Sequence, residues 1–223
     1  SFKDGLKKLS LFSGEITDFP VEKSRSEFQY MQKAIINCII EDEHGLLWLG
    51  LDGLGGVAVF DPQKMDFIEH PIATKMQESL QSASVKNILI DKSGDFFIST
   101  RGEGLFQFRR SDGKLTQYES IIFKGIDIDL KEANHILEHD GALWVATHGS
   151  GLVKMNKEQM SVEQHWFDAD GLISNIIFGT LVDNQQNIWL LTPNGIAKIF
   201  EENNKMNFKN YTFSSGFPIQ EIN

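Results

Sequence analysis

At 223 residues the chain is long enough for one large all-β domain or two ordinary ones, and 41% hydrophobic with 11% aromatic residues supplies a packed core rather than disorder. A formal net charge of −10 gives no basic face for phosphate and argues against a nucleic-acid partner. No apolar run approaches the roughly 20 residues that a membrane-crossing helix needs, and a single cysteine, Cys38, permits no internal disulfide.

In chain order, Gly5–Leu6–Lys7–Lys8–Leu9 has the pattern of a strand that leaves a glycine turn, and Phe19 follows Leu6 as Tyr118 follows Leu105. Apolar, partly β-branched strands are then predicted at Ile35 to Ile40, Val85 to Ile90, Ala133 to Leu137 and Ile176 to Val182. Asp or Asn turns follow three of them, at Asp42 to Gly45, Asp91 to Gly94 and Asp183 to Asn187, with a shorter link at Glu138 to Gly141. Asp bonds its own backbone two residues on, and Gly or Asn tolerates positive φ, so these read as hairpin turns. A second strand in each case carries one large ring, at Trp48, Phe97, Trp144 and Trp189, spaced by 49, 47 and 45 residues.

Each second strand ends in a glycine-bearing loop: Asp52–Gly53–Leu54–Gly55–Gly56, Arg101–Gly102–Glu103–Gly104, His148–Gly149–Ser150–Gly151 and Pro193–Asn194–Gly195. Third strands follow at Val57–Phe60, Leu105–Phe108, Leu152–Met155 and Ile196–Phe200. Fourth strands are expected to end at His70, Tyr118, Trp166 and Tyr211, which lie 22, 21, 22 and 22 residues after their anchors. No stretch sustains a helical period. Four short strands repeated at a period near 47 residues predict an all-β fold, a β-propeller of four-stranded antiparallel blades.

The expected organisation is a partial blade over 1–34, blades at about 35–73, 83–121, 132–168 and 173–213, and the start of a further blade at 214–223. Gly216–Phe217–Pro218–Ile219 matches Gly171–Leu172–Ile173–Ser174, so the whole reads as a piece of a longer ring.

Among polar residues, the loops after the second strands supply Asp52, Arg101, Glu103, His148 and Asn194. If the blades share an axis, these emerge on one face and combine donors, acceptors and both signs of charge, which suits a hydroxyl-rich or acidic ligand. The longer links near Lys75–Gln81 and Lys124–Asp129 are the alternative location. The anchor rings are expected to pack between sheets rather than to stack on sugars. Cys38 reads as a small buried hydrophobe, and His44 and His139 as solvated turn residues. Asp127–Ile128–Asp129 and Glu201–Glu202–Asn203–Asn204 read as solvated loops. The sequence offers no catalytic order, no metal-ligand spacing and no cofactor motif.

Asp42, Gly45 and Trp48, the run from Trp144 to Leu152 and Asp170–Gly171–Leu172–Ile173–Ser174–Asn175 together resemble the two-component regulator propeller repeat, over nearly the whole chain. Phe97 departs from the pattern, as does the loop containing Pro193. The resemblance implies the periplasmic sensor region of a membrane-bound histidine kinase, of the hybrid type that in Bacteroides responds to polysaccharides. It further implies a non-catalytic module with an oligosaccharide ligand, the remaining blades and signalling modules of a parent chain as partners, and a possible homodimer. A propeller lyase and a dimerisation scaffold are the other readings.

Overall fold

The computed structural model describes residues 6–18, 28, 30–31, 34–202 and 205–216. Gly5, Phe19, Asn203, Asn204 and the segment 217–223, on which parts of the partial-blade readings fall, lie outside the described residues.

Among the described residues, twenty strands and one α-helix follow in chain order. A hairpin of β1 (Lys7–Leu9) and β2 (Ile16–Asp18) comes first. The first four-stranded sheet is β3 (Ile36–Glu41), β4 (Leu47–Leu51), β5 (Val57–Asp61) and β6 (Asp66–Ile68), followed by α1 (Pro71–Ser79). The second is β7 (Ser84–Ile90), β8 (Phe96–Arg101), β9 (Leu105–Arg109) and β10 (Lys114–Tyr118). A small hairpin of β11 (Ser120–Phe123) and β12 (Ile126–Asp129) precedes the third sheet. The third comprises β13 (Ala133–His139), β14 (Ala142–Thr147), β15 (Leu152–Asn156) and β16 (Ser161–Trp166). The fourth comprises β17 (Gly179–Val182), β18 (Ile188–Thr192), β19 (Gly195–Glu202) and β20 (Lys205–Tyr211).

Within every four-stranded sheet the spatial order equals the chain order, so each is a simple meander. Register is fixed by the anchor ring. Trp48 pairs with Ile40 and Val59, Trp144 with Leu137 and Lys154, and Trp189 with Leu181 and Lys198. In the last two sheets the lysine opposite the indole lies over its face, at 5.5 Å and 5.7 Å from the ring centre.

The chain divides into two compact units, residues 1–98 with 107–115 and residues 99–106 with 116–223. The core of the first is built on Phe28, Met31, Leu49, Leu51, Phe60 and Phe67. In the second, Trp144, Ala146 and Leu152 of the third sheet pack against Ile188, Leu190, Ala197 and Ile199 of the fourth.

Several expectations need correction. The segment around Lys75–Gln81 is not a loop: residues 71–79 form α1, and Leu80 is its C-cap. The fourth strand of the first sheet stops at Ile68, and His70 is the N-cap of that helix. Pro71 presets the helical φ at the first position, and Ala73 and Met76 form the buried stripe, which carries the chain out of the sheet. Lys124–Asp129 is likewise mostly β12, closed by a Lys124–Gly125 turn whose two residues both have positive φ (51° and 81°), the geometry a two-residue hairpin requires. Asp127 and Asp129 are therefore strand residues with exposed side chains, with Ile128 buried between them. In the fourth repeat the first strand begins at Gly179, later than the predicted Ile176, because Ile176 forms an isolated bridge with His148.

Candidate functional site

The loops after the second strands are held by one recurring device. A buried threonine at the strand end donates its hydroxyl to the carbonyl of the exit glycine: Thr100 to Gly104 (2.7 Å), Thr147 to Gly151 (2.8 Å) and Thr192 to Gly195 (2.9 Å). In the first sheet Leu51 holds this position, and the loop closes through its backbone N–H on Gly56 (2.8 Å). The exit glycine is demanded twice over. Its φ is positive, and a Cβ would come within 3.0 Å of the carbonyl of the residue ending the fourth strand, Tyr118, Trp166 or Tyr211. In the first sheet the same space is filled by Leu80, at the end of α1.

The candidate ligand residues sit at the tips of these braced loops. Asp52 belongs to the first unit, and Arg101, Glu103, His148 and Asn194 to the second. Asp52, Arg101, His148 and Asn194 are exposed, and Glu103 is half-buried. The backbones of three form isolated bridges to the segment that opens the next sheet, Asp52 with Ser84, Arg101 with Glu132 and His148 with Ile176. The side chains are left to solvent. Arg101 Nε lies 3.5 Å from Glu132 Oε2 in an exposed pair that contributes little stability. The Asn194 side-chain amide donates to the Ile173 carbonyl at 3.5 Å, and the Glu103 carbonyl is held by the side-chain amide of Gln117 at 2.7 Å. The structure therefore gives these positions a fixed backbone and side chains that are mostly exposed.

Two furrows lie at the turns between first and second strands, which sequence reasoning passed over. In the first unit a cavity of about 190 Å³ is lined by Asp42, Glu43, His44, His70 and Arg110 over a floor that includes Phe96. In the second a cavity of about 160 Å³ is lined by His139, Asp140, Trp144, Lys154, Asn187 and Glu201. Each forms beside the turn that carries the anchor indole.

That turn is itself an electrostatic unit. Asp42 Oδ1 accepts from the N–H groups of His44 (2.9 Å) and Leu46 (3.0 Å), and Oδ2 accepts from the Trp48 indole (2.8 Å). Asp183 repeats the arrangement with Gln185, Asn187 and the Trp189 indole. Partial burial pushes the Asp42 carboxyl upward, but the indole and amide donors outweigh it and hold the group below its ordinary value. The Trp189 indole, followed by the Asn187 donors, holds Asp183 far lower still. Asp91 keeps the two backbone bonds, to Ser93 and Asp95, although Phe97 has no N–H to offer. The third repeat has no aspartate at this place, and the Trp144 indole donates to the His139 carbonyl instead (3.3 Å).

Trp166, Tyr211 and His70, three of the residues expected to end the fourth strands, each reach the anchor of their own repeat. Trp166 stacks on Trp144 (5.5 Å, 3°), Tyr211 stacks on Trp189 (5.6 Å, 29°), and the His70 ring meets Trp48 edge-on (4.8 Å, 72°). Trp48, Phe97 and Trp144 are at most 4% exposed, so these faces are packing surfaces and not platforms for a sugar. His139 is not solvated as expected: its side chain is 10% exposed, because it ends β13 facing the second furrow. Cys38 is half-buried beside Gly50, and burial pushes its thiol up to about 11, so it is an inert packing group. Among the described residues no group of three or more His, Cys, Asp or Glu is placed to hold a metal ion.

Four-stranded meanders repeated at this period, with an anchor ring on each second strand, are the blades of a β-propeller, and the chain has that class of fold. No protein-family model matches the chain, and no curated protein does; the likeness is to solved structures. The extracellular domain of the putative hybrid two-component system BT3049 from B. thetaiotaomicron is 20% identical, with a TM-score of 0.64 over 83% of this chain and 24% of that one. PorZ of Porphyromonas gingivalis, described as a surface component of the type-IX secretion system, is 16% identical, with a TM-score of 0.68 over 99% and 32%. Virginiamycin B lyase from Staphylococcus aureus is 15% identical, with a TM-score of 0.61 over 93% and 63%. The chain thus spans between about a quarter and somewhat under two thirds of the length of these proteins.

Proposed function

We propose that the chain is part of the extracytoplasmic sensing propeller of a two-component signalling protein, and that it binds a carbohydrate rather than transforming it. The observation that carries this reading is the pairing of a fixed loop frame with variable tips. Thr100, Thr147 and Thr192 brace the last three loops identically and the Leu51 N–H closes the first, while the exposed positions change from Asp52 to Arg101, His148 and Asn194. A scaffold that holds its backbone constant and varies the presented side chain is suited to recognition. The fold likeness to an ectodomain of a hybrid two-component system supports the same reading.

In this account the ligand is hydroxyl-rich or carries a carboxylate, Arg101 supplies a planar fork to it, and the other tips supply single hydrogen bonds. The rest of the parent chain contributes further blades, the signalling modules and a dimer contact, and the segment works in the periplasm. Calorimetric titration of the intact protein with a panel of neutral and acidic oligosaccharides tests the proposal. Saturable binding of one glycan class without turnover is the expected result; glycan cleavage or elimination would replace the reading with that of an enzyme.

A further inference from the structure

α1 ties the first turn furrow to the first glycine loop. At its start, Ile72 donates its backbone N–H to His70 Nδ1 at 3.3 Å, so a histidine serves as the N-cap. At its end, the Gln77 side-chain amide donates to the Val57 carbonyl (2.8 Å), Gly55 donates to the Gln81 carbonyl (3.2 Å), and Leu80 fills the space over Gly56. The helix has no acidic residue in its first turn and no basic residue in its last, and nine residues are too few to hold a helix by propensity alone. Its stability rests on the His70 cap and on the burial of Ala73, Met76 and Leu80.

We infer that His70 is an acid-sensitive clasp: it caps α1 only as the neutral imidazole, and its protonation releases the helix and, with it, the glycine loop that bears Asp52. An imidazole that accepts at Nδ1 carries its proton on Nε2. A second proton turns Nδ1 into a donor pointed at the Ile72 N–H and places a positive charge at the positive end of a helix. The groups around the ring set when this happens. Asp42, Glu41, Glu43 and His44 face it from the β3–β4 turn, Asp91 and Lys92 from the β7–β8 turn, and Arg110 from the β9–β10 turn.

The Asp42 carboxylate favours the imidazolium through its charge, but burial of the ring outweighs it. Asp42 already accepts three hydrogen bonds, and Glu43 is committed to Arg110 at 2.8 Å. Burial against Trp48 disfavours the charge, and Arg110 and His44 add to that, so the ring titrates below an ordinary histidine. The contribution of the cap is complete above about pH 6.5, the ordinary histidine value, and is lost as pH falls through the folded value.

Hydrogen exchange of the intact protein, read by mass spectrometry at about pH 7.5 and about pH 5 and corrected for the intrinsic rate, tests this. Protection of α1 and of the 53–57 loop is expected to fall roughly fivefold to tenfold on acidification, the scale of a lost N-cap. His70→Asp keeps an acceptor at the cap and removes the titration, so it should hold protection at both pH values. Unchanged protection in the wild type, loosening of α1 without the loop, or equal loss in His70→Asp would each overturn the inference. Should the variant fail to fold, an NMR titration of the wild type decides: the Ile72 amide must move with the His70 ring, and an unmoved amide contradicts the clasp.

Discussion

At the scale of single residues, the anchor rings carry the largest energies. Trp144→Ala removes a buried indole stacked on Trp166 and is expected to cost about 3–5 kcal/mol, as is Phe97→Ala, in denaturant unfolding. An unmoved midpoint for either would show that the ring is not core. Ser99 gives the opposite case. Its hydroxyl is fully buried and has no hydrogen-bond partner among the described residues, at the place where the third repeat has the packed Ala146. Ser99→Ala is therefore expected to be neutral or to stabilise by about 1 kcal/mol, since the desolvation cost of the hydroxyl disappears. The titratable residues fix a pH profile. Asp42 and Asp183 have depressed values when folded, so their contribution is present above the ordinary carboxylate value, about 3.9, and is lost as pH falls through the folded values. Burial likewise lowers His70 and His135, whose contributions are complete above about pH 6.5 and decline below it. The melting midpoint should be flat above about pH 6.5, fall gently below it and fall steeply under about pH 4; a midpoint that rose between about pH 7 and about pH 5 would contradict this assignment.

At the scale of elements, the exit glycine separates two kinds of cost. Gly151→Ala must both hold a positive φ and push a Cβ into the Trp166 carbonyl, and is expected to cost more than about 3 kcal/mol. Gly141→Ala has a similar φ of 74° with open space around it, so about 1 kcal/mol is expected. Thermal unfolding of the two variants makes the comparison. These elements were legible because each rests on a local signal: the Asp turn, the ring and the glycine recur in sequence as they do in space. The end points of three fourth strands, Tyr118, Trp166 and Tyr211, follow directly from that spacing. α1 was missed because the same spacing, extended to His70, masked a helix start that Pro71 and the Ala73–Met76–Leu80 stripe do signal. The furrows were not legible at all. His70 and Arg110 are 40 residues apart, and no local pattern brings a helix cap and a third-to-fourth-strand turn to one cavity. The polar loop tips were readable as a set, because each follows a second strand and precedes an exit glycine.

At the scale of the molecule, the fourth sheet shows what its outer face is for. Trp189, Leu191 and Ile196 occupy the positions at which Trp144, Ala146 and Leu152 of the third sheet receive a neighbour. Here they line an apolar cleft of about 440 Å³, with Leu181 58% and Leu191 40% exposed. An apolar sheet face of this kind associates in water. The 223-residue chain alone is therefore expected to self-associate as concentration rises, and Leu191→Lys to reduce that association in sedimentation without lowering the unfolding free energy by more than about 1 kcal/mol.

The account stands on the claim that the braced loops present a ligand site. Calorimetric titration of the intact protein with the glycan it binds, comparing wild type with Arg101→Ala and His148→Ala, tests that claim most directly. Binding weaker by roughly 1–3 kcal/mol in Arg101→Ala, with an unchanged melting midpoint, is the expected result, the usual cost of a lost charged hydrogen bond. Unchanged affinity in both variants would contradict it and place recognition elsewhere on the molecule.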